Sequence, residues 1–256
     1  MKRIRIVIFA TGRLKLLLPV FLALVLAATA IFLPGWTAGA RHREAVSAMS
    51  RALVGRVVVV DPGHGGVDPG AVGKNNVLEK DLVLQVGTRL ADFLRQAGAK
   101  VIMTRDTDTD LADPEITGLY ARKKQDLARR VALANSARAD ALISIHVNSL
   151  NNPGESGIQT FARLQSPDSR LLARCIQSEM NRLMKTKGRV PLSGDYYIIR
   201  RANVPAVIVE VGFITNPKEF ALLQNPEYQS KLAWALYAGL VEYFAEKAVP
   251  EPKSGK

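Results

Sequence analysis

The 256-residue chain has a single cysteine, Cys175. An internal disulfide and a cysteine-based zinc cluster are therefore both excluded. An oxidising compartment is not excluded, because a chain of this length can build a core without disulfide staples. Histidine is almost as scarce, with only His42, His64 and His146. Aromatic residues make up 6% of the chain, and no aromatic-rich basic motif of the RNA-binding kind occurs, so nucleic acid is not the expected partner. Internal repeats are absent, and no shift in composition marks a second folded domain. Acid is missing from residues 1–40, which hold Lys2, Arg3, Arg5, Arg13 and Lys15. Of the formal net charge of +12, five units sit in this stretch, leaving +7 for the rest. Such a surface suits a polyanionic neighbour, whether acidic lipid or an anionic wall.

The five basic residues precede an uncharged run from Leu16 to Ala40, with a Leu/Val/Ala-rich heart at Leu16–Leu33. Basic residues followed by an apolar stretch of this length read as a signal peptide or a retained signal anchor over residues 1–40. Ala38-Gly39-Ala40 resembles a signal-peptidase site. Either way the remainder is expected outside the cytoplasm, with a juxtamembrane linker over 41–54. His42 falls in that linker and is expected to be dispensable.

From residue 55 to 247 the pattern alternates strand and helix, before a Pro/Lys/Gly tail at 248–256. Strands are expected at Val57–Asp61, Lys100–Thr104, Ala141–His146, Gly157–Ala162, Tyr196–Ile199 and Ala206–Val211. Helices are expected at Glu79–Ala97, Tyr120–Ala137, Ser169–Lys185 and Pro226–Lys247, the second with a basic outer face. The fold class is α/β: one three-layer domain with a mostly parallel sheet covered by helices on both faces. Cys175 falls in a helix and reads as a small buried side chain.

His64 and His146 each lie at or just beyond the C-terminal end of an expected strand, where open α/β sheets carry their function. Taken singly, each has a plain reading, as part of a Gly/Pro-rich turn or as a hydrogen-bonded core residue. Glu79, opening the helix after the His64 loop, is by itself a first-turn acid favoured by the helix dipole. Glu210 ends the apolar run Ala206–Val209, where a carboxylate is costly unless paired or bound. Together the four groups suggest more. Two imidazoles and a carboxylate make a catalytic Zn2+ shell with a fourth position open, which activates water and polarises a carbonyl. His64, Glu79 and His146 fit that shell, and Glu210 fits a general acid–base. Spacing alone leaves open an exchange of roles between Glu79 and Glu210. Gly65 and Gly66 are expected to let a bulky polymer approach the site.

Four blocks, VVVVDPGHGGVDPGAVG, LEKDLVLQVGTRLADFL, ISIHVNS and VPAVIVEVGFITNP, resemble in order and spacing the zinc-dependent N-acetylmuramoyl-L-alanine amidases of the third class. The resemblance runs from about Arg56 to Phe244 and is closest to the germination-specific, spore-cortex subgroup. It implies His64, Glu79 and His146 as zinc ligands and Glu210 as the catalytic residue. The implied reaction hydrolyses the amide between N-acetylmuramic acid and L-alanine in peptidoglycan. The short interval from Leu150 to Ser156 leaves no room for the plugging helix of some periplasmic relatives, so control would fall to expression, location or a protein partner not identifiable from sequence. Two other functions compete: a zinc hydrolase cutting stem peptides, and an inactive wall-binding protein on an amidase scaffold. A dead scaffold has no chemical reason to keep Glu210.

Overall fold

The structure, a computed structural model, describes residues 52–186 and 188–248. The expected N-terminal segment, most of the linker with His42, and the tail beyond Ala248 lie outside the described residues. Among those described, no helix is long and apolar enough to cross a membrane.

In chain order the elements are β1 (Val57–Pro62), α1 (Glu79–Gln96), β2 (Lys100–Met103), α2 (Leu119–Ser136), β3 (Ala141–Asn148) and β4 (Gln159–Ala162). There follow α3 (Pro167–Met184), β5 (Leu192–Ser193), α4 (Tyr197–Arg201), β6 (Ala206–Phe213), α5 (Pro217–Leu223) and α6 (Pro226–Ala248). The sheet order is β2-β1-β3-β6-β4-β5. Strands β2, β1, β3 and β6 run parallel, as do β4 and β5, and the one antiparallel junction is between β6 and β4. The sheet is thus mixed but mostly parallel.

Alternation along the strands divides the core into two layers. Val58 and Val60, Ile143 and Ile145, and Val207 and Val209 pack in one cluster with α1, α3 and α6. Val59, Leu142, Ala206 and Ile208 pack in a second with α2 and α4. Both faces are apolar, so these strands read as continuous hydrophobic runs, as expected for a sheet buried on both sides. Cys175 is fully buried in the first cluster, as is Leu53, which sits within the expected linker.

Three expectations need correction. Tyr196–Ile199 is not a strand: Tyr196 caps the single helical turn α4. A short apolar run cannot be assigned by periodicity alone, and here Ile198 and Ile199 both pack beside α2. The helix α5 was unforeseen, although Asn216 followed by Pro217 is a helix-start signal. The Asn216 side chain accepts from the Lys218 and Glu219 amides at 3.0 and 3.1 Å. Finally, the polar side of α2 is not wholly an outer face, because Arg130 is 1% exposed.

Candidate active site

The loop after β1 turns sharply at His64, whose φ of 60° lies in the left-handed region. A non-glycine residue held there needs support from its surroundings. Arg130 and Arg105 supply it. Arg130 Nη1 and Nη2 donate to the Pro62 and His64 carbonyls at 2.8 and 2.6 Å. Arg105 Nε and Nη2 donate to the Pro62 and Gly63 carbonyls at 3.0 and 2.8 Å. Arg130 is itself paired with Asp61 at 2.8 Å and Asp126 at 2.9 Å. Burial alone would raise the Asp61 carboxyl, but the Arg130 charge and the Ser144 and Thr104 hydroxyls outweigh it and hold it below its ordinary value.

Glu79 is the first residue of α1 and is buried. The Ala71 amide donates to its Oε2 at 2.8 Å and the Val147 amide to its Oε1 at 2.9 Å. Burial pushes this carboxyl up, yet His146 and His64 pull it well below its ordinary value. His146 comes from β3, with Glu210 as its register partner on β6.

These side chains converge. Glu79 Oε1 is 3.1 Å from His64 Nε2 and 3.1 Å from His146 Nδ1, and the two ring nitrogens are 3.2 Å apart. The donor atoms of a tetrahedral ion with bonds of roughly 2.0–2.1 Å stand about 3.3 Å apart. The triangle therefore fits a small tetrahedral cation, and these three residues form a group able to hold a metal ion. On its far side, His64 Nδ1 faces Asp68 Oδ2 at 2.9 Å. The His64 pKa is raised to about 9: burial lowers it, but the bonds to Asp68 and Glu79 prevail.

Glu210 stands outside the triangle. Its Oε2 is buried without a hydrogen-bond partner among the described residues. Its pKa is raised to about 6, first by burial, with His146 opposing and Glu79 adding. It lines a cleft of about 310 Å³ together with His64, Asp68, Lys123, His146 and Tyr196.

The glycines act differently from expectation. Cβ atoms at Gly65 and Gly66 would strike the Thr109 carbonyl at 2.3 Å and Asp110 at 2.6 Å. Both pack against the long loop before α2, which is braced by Asp108 to the Gly66 amide and to Lys80 Nζ. Gly63 and Gly70 keep it clear, since Cβ atoms there would lie 2.2 Å from the His146 ring and 2.6 Å from Glu79 Oε2.

Residues 58–242 match the family model for N-acetylmuramoyl-L-alanine amidase. The chain belongs to that family. It is 42% identical over 202 residues to the germination-specific N-acetylmuramoyl-L-alanine amidase of Bacillus subtilis, covering 78% of this chain and 85% of the relative. Its fold is similar to the Clostridioides difficile CwlD amidase solved in complex with the GerS lipoprotein, with a TM-score of 0.71, 35% identity, and 73% and 98% of the two chains covered. A second solved structure, an N-acetylmuramoyl-L-alanine amidase from Clostridium difficile 630, gives a TM-score of 0.67 at 35% identity, covering 76% and 99%. The amidase thus hydrolyses the bond between N-acetylmuramic acid and L-alanine in peptidoglycan.

Reasoning from sequence missed Asp68, Lys123 and Arg130 around this amidase site. An acid four residues beyond His64 in the same Gly/Pro-rich loop was a usable signal for Asp68. Nothing local marked Arg130, which reads as one more cation on a basic helix.

Proposed function

We propose that this amidase is a zinc enzyme in which His64, Glu79 and His146 hold the ion and Glu210 serves as general base and acid. The observation that carries this reading is the triangle of donor atoms beside a buried, unpartnered Glu210 oxygen. Bound zinc would supply Lewis acidity towards the attacking water and the scissile carbonyl. Glu79, bonded to two backbone amides, is rigid enough for ligation. Glu210, held on β6 with a pKa of about 6, takes the proton of the attacking water and returns it to the departing amine.

The catalytic unit is proposed to span residues 55–247 and to work outside the cytoplasm, carried there by residues 1–40 as signal or anchor, with 41–54 as linker and 248–256 as tail. That placement is supported by the basic and apolar pattern of the N-terminus and by a substrate that lies in the wall. Likeness to the germination-specific relative favours spore cortex as the substrate, and likeness to the CwlD–GerS complex favours a lipoprotein partner.

Glu210→Gln keeps size and shape but removes the titratable oxygen. We expect bound zinc and the melting profile to be retained while turnover on purified peptidoglycan falls by about 10²–10⁴. Mass analysis of the digest should show uncut stem peptides beginning with L-alanine. If Glu210→Gln loses its zinc and Glu79→Gln retains it, the two carboxylates have exchanged roles.

A further inference from the structure

His64 has two ring nitrogens, and only Nε2 faces Glu79 and His146. Nδ1 points the other way, to Asp68 Oδ2 at 2.9 Å. Asp68 closes the same loop, exchanging backbone hydrogen bonds with Gly65 at 3.0 and 3.1 Å. Both its oxygens are engaged. The Gly70 amide donates to Oδ1 at 3.1 Å, and Lys123 Nζ of α2 reaches Oδ2 at 2.9 Å. The carboxylate is thereby anchored by the loop on one side and by a helix on the other.

An imidazole ligates through whichever nitrogen lacks a proton, and the bond made by its other nitrogen decides which that is. We infer that Asp68 is a positioning residue for the zinc site. By accepting from His64 Nδ1–H, it fixes the tautomer whose Nε2 lone pair faces Glu79 and His146, and it locks the ring's orientation. Lys123 holds Asp68 in place for that task. The inference rests on His64 being a ligand, and its test separates the two ideas.

The test uses the wild-type chain and its Asp68→Ala, Asp68→Leu, Lys123→Met and His64→Ala variants. Zinc dissociation constants come from chelator competition, and the visible absorption bands of the cobalt-loaded proteins report ligand geometry. Asp68→Ala should weaken zinc binding by about 10–100-fold and alter the cobalt bands, with the metal-free melting profile kept. Lys123→Met should shift both readouts in the same direction by less, since Gly70 still holds Asp68. Should Asp68→Ala fail to fold, Asp68→Leu, which is of similar size and has no acceptor, carries the test. Wild-type affinity and unchanged cobalt bands in the folded Asp68 variant, alongside metal loss in His64→Ala, would overturn the positioning role and leave the ligand assignment standing. Retention of zinc by His64→Ala would remove the ligand assignment, and this inference with it.

Discussion

At the residue scale, the most heavily committed side chain is Arg130. It joins Asp61, Asp126 and two loop carbonyls in surroundings almost without solvent. Removing one partner of a buried pair strands the other, at a typical cost of about 3–5 kcal/mol. Arg130→Met should therefore lower stability in urea titrations by an amount of that order. The same network has a defined pH dependence. Because the Asp61 pKa is lower in the folded state than in the unfolded chain, its contribution is fully present above the ordinary carboxylate value of about 4. It is lost as pH falls through the lower folded value. The stability gap between wild type and Asp61→Asn should accordingly narrow on going from pH 7 to pH 3. A gap that stays constant would show that charge plays no part in it.

At the scale of elements, strand ends do the work that strand centres conceal. On the side of the sheet facing α2 and α4, each central strand begins apolar, with Val59, Leu142 and Ala206. Each ends polar, in Asp61 on β1, Ser144 and His146 on β3, and Glu210 on β6. Two-sided burial made these strands easy to find and their C-terminal ends easy to place, which brought His64, His146 and Glu210 into view, whereas Glu79 was legible as the acid opening the helix after the His64 loop. The network behind them was not. Arg130 and Lys123 come from α2, far along the chain from the His64 loop, and only tertiary packing brings them to it. The misread Tyr196–Ile199 segment has the same cause, since its apolar residues fill a gap beside α2 and follow no period of their own. Close packing also gives a sharp test. A methyl group at residue 63 would occupy the space of the His146 ring, so Gly63→Ala should cost bound zinc while circular dichroism stays native. Full zinc occupancy in that variant would show that the ring can move aside without consequence.

For the whole molecule, charge and topology are the properties that matter. Beyond residue 40 the chain carries a formal +7, which suits attraction to anionic wall material. Exposed charges are screened beyond a Debye length of about 8 Å near physiological ionic strength, so binding to isolated sacculi should weaken as salt is raised. Retention that does not respond to salt would mean that the excess lysine and arginine only solvate the surface. Topology bears on when the protein becomes active. His64 follows β1, His146 belongs to β3 and Glu210 to β6, and the pairing of His146 with Glu210 is set by the register of two parallel strands far apart in the chain. Such non-local pairings are slow to form. A slip of one residue would turn one of the two side chains to the opposite face. On the proposed assignment, a nascent or partly folded chain holds no assembled hydrolytic centre until its last central strand, β6, has docked in register.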